Sequence, residues 1–385
     1  MAPVTRATSW PSQVLDFVIE HKGKIIAHLG HVIAALVSII FFFYPDASVP
    51  TFNDYAEFYF GSRLLFSPDF PRLYETSGNW FWFSATFHAP PFRTLPSTLL
   101  FYVPLGLIPT LASSYTTYVV ASVALNVLTA FMCVEIARIL KGATIERWTR
   151  DAMLFVYFLM PMHFSNYYQG QVGSVIGFLL VTSMLMYLKN REGLASLSIG
   201  IALAIKPTSY FIIILLLVFA GSLRKFLTRG VLMCLPACIN IIVFMMAPSM
   251  LGGFIDVAFM RDYNQGVPLP SVTVTSAILM ILRILGITSM QTLIFAIVAV
   301  PSTIVAYAIA RRRPDCNKIA TAFVLGTMLY FLCQFDVWPS QTVFLFPFLA
   351  IFQMAYAVKP GGNFKLLWLA VATYSVYDIV RVVQV

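Results

Sequence analysis

The sequence is short of charge. Only 11% of its 385 residues are charged, while 59% are hydrophobic and 15% aromatic; a water-soluble domain carries about 25% charged residues. So little polar surface cannot coat a globule of this size, which excludes a soluble enzyme and a disordered chain. Cysteine is also scarce. The five present (Cys133, Cys234, Cys238, Cys316, Cys333) make no even set and no CxxC pair, and most stand inside apolar runs. They read as small hydrophobes, not as a disulfide framework. Acidic residues are the rarer charges, 16 against 25 basic ones. The resulting +9 does not point to nucleic acid, because the cations stand in short clusters between apolar stretches, as in the cytoplasmic loops of membrane proteins. GxGxxG and Walker phosphate loops are missing, and so is any Asp-x-Asp pair. No cleaved signal peptide is expected, since the first apolar run starts only near Ile25 and ends in Phe43-Tyr44-Pro45 without a small-residue cleavage site.

What the chain has in abundance is apolar runs near bilayer-crossing length. They fall at about 25–44, 116–140, 151–168, 172–188, 194–205, 208–222, 230–248, 290–310, 318–334, 341–358 and 366–384. Helices of about 20 apolar residues cross a bilayer, so the expected fold is all-α: a polytopic transmembrane bundle of about 11 spans, residues 1–385 forming a single integral membrane domain. With the N-terminus in the cytoplasm, 18 of the 25 Lys and Arg residues lie on the inner side and 7 on the outer. That bias fixes the expected orientation. Two further apolar stretches, 96–111 and 273–287, are kept at the outer interface. Counting either as a crossing would export the basic clusters Arg138–Arg150 or Arg311–Arg313.

Two outer segments are long, at about 45–115 and 249–290. They mix charge, proline and aromatic residues, as in Trp80-Phe81-Trp82 and His88-Ala89-Pro90-Pro91-Phe92. Interfacial helices suit that mixture. The run 194–205 spans only about 18 Å as a helix, against a hydrocarbon core of about 30 Å. It ends in Lys206-Pro207, and proline stops a helix. Short helices at depth face protein or a wet cavity, so a cavity open to the outer side is expected near Lys206.

In this topology the polar residues gather on one side. Asp54 and Glu57 follow the first run, Gln169-Gly170-Gln171 links two runs, and Lys206 ends the short one. Asn264 and Gln265 lie in the second outer segment, while Gln334, Asp336 and Gln341 surround Trp338 in the last outer loop. Ionisable groups at such positions are functional candidates. Each also has a plainer reading. Asp54 with Glu57 three residues on fits a capping box; Gln-Gly-Gln fits a tight turn; Lys206 fits a snorkelling lysine; His88 fits a loop histidine. Trp80 and Trp82 fit interface anchors.

Asp54-Tyr55 followed by Phe58-Tyr59 and Arg63-Leu64-Leu65 resembles the start of the first outer loop in glycosyltransferase family 87. Ala89-Pro90-Pro91-Phe92 through Ile108-Pro109 is similar to the family's proline-marked stretch, and Gly170-Gln171-Val172-Gly173 to its Gly-Gln-x-Asn turn. Ser198-Ile199-Gly200 through Lys206-Pro207-Thr208 resembles its most recognisable block, and Asn264-Gln265 with Arg283 downstream resembles an Asn-Gln-Ser motif with its arginine. Gly173 and Gly266 depart from the pattern, and His88 stands near a usual tyrosine. The resemblance implies a GT-C-type enzyme that moves a sugar from a polyprenyl phosphate donor to an acceptor hydroxyl on a glycolipid or glycan, with inversion, on the extracytoplasmic side of the cell membrane. Mannose is the sugar it suggests, with arabinofuranose and others left open.

On that resemblance Asp54 is the expected general base. Lys206, then Arg283 and Arg261, are expected on the donor phosphate. Glu57, His88, Gln169, Gln171, Asn264, Gln265, Asp336 and Trp338 are expected to contact sugar or acceptor. No cofactor is required; Mg²⁺ is compatible with the reading but not indicated. The competing expectation is a transporter or lipid flippase, whose acids should sit at mid-membrane in both halves of the chain; here they sit in outer loops and at the ends of runs.

Overall fold

The structure is a computed structural model and describes residues 54–77, 80–83, 89, 91–257, 273–286, 291–334, 337 and 339–356, with isolated positions 22, 29, 32, 33, 35 and 36. The expected runs at 25–44 and 366–384 lie largely or wholly outside these residues. The elements in chain order begin with α1 (Asp54–Leu64), the hairpin of β1 (Thr76–Ser77) and β2 (Trp80–Phe81), α2 (Ser97–Gly106) and α3 (Leu111–Lys141). Then come α4 (Arg147–Leu159), α5 (Pro161–Gln169), α6 (Gly173–Leu188), α7 (Glu192–Ile205) and α8 (Tyr210–Val218). The rest are α9 (Leu223–Cys234), α10 (Cys238–Met246), α11 (Pro248–Ile255), α12 (Val274–Ile284), α13 (Gln291–Arg311), α14 (Asp315–Cys333) and α15 (Phe346–Tyr356). The expected all-α polytopic bundle is the fold observed, and the two-residue strands are its only sheet among the described residues.

Among the described residues, three helical stretches are long and apolar enough to cross a membrane alone: Leu111–Lys141, Leu223–Met246 and Thr292–Arg311. The rest of the apolar helices are shorter. Helix α2 has 10 residues, about 15 Å at helical rise, in keeping with a stretch that lies at an interface or re-enters. Helix α12 has 11. The run 151–168 differs from expectation: it is not one helix but two. Pro161 starts α5, and Met160 before it is extended (φ −64°, ψ 124°). The ring of a proline disfavours helical geometry in the preceding residue, and here that local effect overrides the apolar length of the run.

Hydrogen bonds define the two ends of the bundle. At its start, α3 donates from Tyr115 and Tyr118 to carbonyls of residues 166, 167 and 171. At its finish, Glu135 pairs with Arg138 and with Lys189, just beyond α6. Helices α3 and α6 therefore run parallel, as Asn126 bonded to Ser174 and Thr182 bonded to Met132 also show. Helix α7 starts at the same end as the finish of α3, where Glu192 pairs with Lys225 and Arg229 of α9. It finishes at the opposite end, where α2 begins. The beginnings of α1, α2 and α3, the α5–α6 turn and the finish of α7 thus share one end. The Glu135 and Glu192 ion pairs share the other.

Candidate functional site

Helix α1 carries Asp54 and Glu57 in its first turn and Arg63 in its last, the polarity that complements the helix dipole. Tyr55, Phe58 and Tyr59 are buried at i, i+3 and i+4, so one face of α1 is aromatic. Tyr55 lies 5.3 Å from Tyr115 and 5.0 Å from Tyr118, centroid to centroid, and Phe58 stacks on Tyr102 at 4.5 Å. Such pairs contribute about 0.5–1.5 kcal/mol each beyond area burial. The phenols are also donors. Tyr102 reaches the carbonyl of Gly170 at 3.1 Å, Tyr115 that of Tyr167 at 2.9 Å and Tyr118 that of Gln171 at 2.7 Å. This tyrosine cage ties the α5–α6 turn to α1.

Gly170 makes the approach feasible. Its φ is +70°, and a Cβ there would lie 2.2 Å from the Tyr55 Cβ and 2.7 Å from the Tyr55 Cα. The turn therefore lies directly on the first turn of α1, and Gln171 Nε2 donates to Asp54 Oδ2 across 117 residues of sequence. Gly170→Ala is expected to destabilise the protein by about 2–4 kcal/mol, from backbone strain plus a clash with backbone. Gly221 has φ +73° but open space around it, so Gly221→Ala should show only the strain, about 1 kcal/mol. Thermal unfolding of both variants measures the difference; equal losses would remove the packing role of Gly170.

Lys206 arrives at the same end by a different device. Helix α7 stops at Ile205, and Pro207 cannot continue the ladder, leaving carbonyls without intrahelical partners. Ser97 Oγ donates to the Ala204 carbonyl and Thr98 Oγ1 to the Ile205 carbonyl, each at 2.5 Å. The first turn of α2 thereby caps the end of α7, and the segment leading into α2 carries Arg93. Lys206 and Arg93 are both half-buried. Arg93, Lys206 and Asp54 are the charges that act on Glu57, so groups from three separate segments converge on it.

Glu57 departs from the plainer of its two readings. The capping-box reading needs its carboxyl to turn back to the backbone N–H at the helix start. Instead the residue is 5% exposed and, among the described residues, its carboxyl takes part in no hydrogen bond or ion pair. Burial pushes that carboxyl well above the usual carboxylate range, and the neighbouring Asp54 pushes the same way; Arg93 and Lys206 act in the opposite direction.

Of the other expected site residues, Gln169 ends α5 beside the same turn. Arg283 lies in α12, its side chain outside the described ones. His88, Arg261, Asn264, Gln265, Asp336 and Trp338 lie outside the described residues. Near the last of these, Gln334 accepts from Tyr210 at 3.0 Å and Gln341 from Tyr330 at 2.8 Å. Tyr210 follows Lys206 by four residues, so this loop borders the same end. Buried His163 sits deeper, with Nε2 donating to the Tyr157 carbonyl at 3.0 Å and Nδ1 3.2 Å from Asn126; both ring nitrogens are engaged in the packing.

Sequence reasoning missed Arg93 and the tyrosine cage. Arg93 counted only as one of seven minority-side cations, although an arginine locked between Pro91 and Pro96 was a signal. Among the described residues no group of three or more His, Cys, Asp or Glu side chains could hold a metal ion.

The family model for glycosyltransferase family 87 matches residues 95–334. That stretch holds Gln171 and Lys206 and begins just after Arg93; Asp54 and Glu57 precede it. Among solved structures, the crystal structure of ArnT from Cupriavidus metallidurans in the apo state is similar with a TM-score of 0.44 and 12% sequence identity, over 89% of this chain and 60% of that one. The chain therefore spans less than two thirds of that protein's length. No curated protein matches. With more than half of its residues matched by the family model, the chain belongs to glycosyltransferase family 87.

Proposed function

We propose that the protein transfers a sugar, mannose by the family resemblance, from a polyprenyl monophosphate carrier to an acceptor hydroxyl of a glycolipid or glycan on the extracytoplasmic side, with inversion. One observation carries the reading: at the end of the bundle where Gln171 bonds Asp54, the first turn of α2, just after Arg93, caps the end of α7 beside Lys206, which brings three separate segments together. A carboxylate beside two cations suits this reaction. The acceptor oxygen forms a bond to the anomeric carbon while its proton passes to Asp54 as general base. The bond from that carbon to the phosphate oxygen breaks, and its electron pair leaves with the lipid phosphate.

Charge growing on the phosphate is best met by preorganised cations. In this reading Lys206 and Arg93 supply them, with Arg283 and Arg261 as further phosphate ligands, and no cofactor takes part. Gln171 holds Asp54 by its amide. Gln169, Asn264, Gln265, His88, Asp336 and Trp338 are the proposed sugar and acceptor contacts. Charge supports the extracytoplasmic reading: the opposite end carries Arg138, Lys189, Lys225 and Arg229, in keeping with a cytoplasmic bias of cations.

The test is incubation of the purified protein with a panel of radiolabelled polyprenyl-phosphate sugars and a membrane lipid extract. Label from one donor should appear in a glycolipid or glycan fraction. Transfer from a nucleotide sugar with none from any polyprenyl-phosphate sugar would overturn the donor class.

A further inference from the structure

We propose that Asn240 is a positioning residue for the donor phosphate: from α10 it caps the start of α2 and so fixes the backbone that carries Arg93 and Lys206. The inference rests on the polyprenyl-phosphate reading above. It starts from an inversion of the usual burial. Of the nine residues of α10, the one that is buried is the asparagine; Ile241, Ile242, Met245 and Met246 are exposed. Helix α10 ends one of the stretches long and apolar enough to cross a membrane, and an inward amide there marks an interhelical bond. Asn240 Oδ1 accepts from the backbone N–H of Ser97 at 2.8 Å, across 143 residues of sequence.

Helix starts leave N–H groups that the helix itself cannot satisfy, and a Ser, Thr, Asp or Asn at the N-cap usually accepts from one of them. The N-cap residue of α2 is Pro96, with no side-chain cap. The N–H groups of Thr98 and Leu99 turn back to the carbonyls of Leu95 and Pro96, which leaves that of Ser97 to Asn240. The hydroxyls of Ser97 and Thr98 are engaged on the Ala204 and Ile205 carbonyls. Helix α10 therefore caps α2, and α2 caps α7, with Ser97 in both links. Gly200 allows the approach: a Cβ there would lie 2.5 Å from the Met233 carbonyl oxygen, so α7 and the stretch leading into α10 run side by side. Arg93 and Lys206 make further contacts of their own; what Asn240 fixes is the chain on either side of the caps. Without the amide a buried N–H is left bare, which is costly, and its relief is a shift of the start of α2 toward water. That shift pulls Ser97 and Thr98 from the end of α7 and separates Arg93 from Lys206. Misplacement of about 1 Å costs a positioned group about 10²-fold.

Because only an oxygen can receive the Ser97 N–H, the orientation of the Asn240 amide is fixed. Its Nδ2 is buried without a hydrogen-bond partner among the described residues. An aspartate in its place keeps the acceptor and loses only that idle donor. The experiment measures binding of a polyprenyl monophosphate to the full-length protein and to Asn240→Leu and Asn240→Asp, with thermal unfolding of the same samples. Asn240→Leu, close in shape but without an acceptor, should bind about tenfold more weakly. Asn240→Asp should bind within about threefold of wild type. In a Ser97→Ala, Thr98→Val background, which already lacks the caps on α7, Asn240→Leu should cost no more than about twofold further, since the changes lie along one chain of contacts. Three results overturn this inference alone: a folded Asn240→Leu that binds like wild type, a full tenfold further loss in the cap-less background, or a folded Asn240→Asp that binds about tenfold more weakly than wild type. The last decides the matter by itself if Asn240→Leu does not fold. No binding of polyprenyl monophosphate by wild type overturns the donor reading and the inference with it.

Discussion

Asp54→Asn is expected to lower the transfer rate by about 10²–10⁴-fold, the usual contribution of a positioned general base, while donor binding stays within about threefold of wild type. The substitution is nearly isosteric. Its amide oxygen can still accept from Gln171 Nε2, the partner of the native carboxylate, so the α5–α6 turn keeps its seat on α1. What is lost is the capacity to take a proton at neutral pH. Rate and affinity should therefore separate. Steady-state transfer and equilibrium donor binding on one preparation measure both. Wild-type turnover by this variant would remove Asp54 as the base, and an equal loss in both would make it a structural residue.

Asp54 is also where sequence and structure divide most instructively. That it begins a helix, and that Glu57 shares its turn, was legible from the residue types at that spacing. That it touches Gln171 was not. The contact spans 117 positions and depends on the close approach of Gly170 to Tyr55. No periodicity encodes that approach. Helical extents followed apolar length well for α3, α6, α7, α13 and α14, because apolar runs of that length have few other places to go. Apolar length misleads where one residue overrides a run. Pro161 divides 151–168 at Met160, although the hydrophobicity on both sides argues for a single helix. The capping-box reading of Glu57 gives way for another reason. The capping box is a local pattern, and the local pattern lost to tertiary packing, with the carboxyl buried instead of turned back. Arg93 was hidden in a topological count. Counting cations by side of the membrane discards what distinguishes one from another, namely which helix end each adjoins. The caps from Ser97 and Thr98 to the end of α7 link the Arg93 segment to Lys206, and hydroxyl caps between distant helices leave no mark in the sequence.

Those same caps determine the second large effect. Lys206→Ala and Arg93→Ala should each weaken binding of a polyprenyl-phosphate donor by about 10- to 100-fold, from loss of a charge-assisted contact worth about 1.5–3 kcal/mol. The lower part of that range is expected, since both side chains are half-exposed and solvent screens them. The two losses should not simply add. With α2 capping the end of α7, both cations belong to one rigid unit, so a phosphate deprived of one can lean only on the other. A double-mutant cycle should give a coupling above about 0.5 kcal/mol, as groups sharing one ligand do. Lys225→Ala removes a cation of the same type at the opposite end of the bundle, where it pairs with Glu192 at 3.1 Å. Donor binding should not respond to it, which separates a local contact from a general effect of net charge. Unchanged donor affinity in both single variants would dismiss the phosphate role of this end of α7. Losses that are large but strictly additive would keep the two contacts and deny that one clamp holds them.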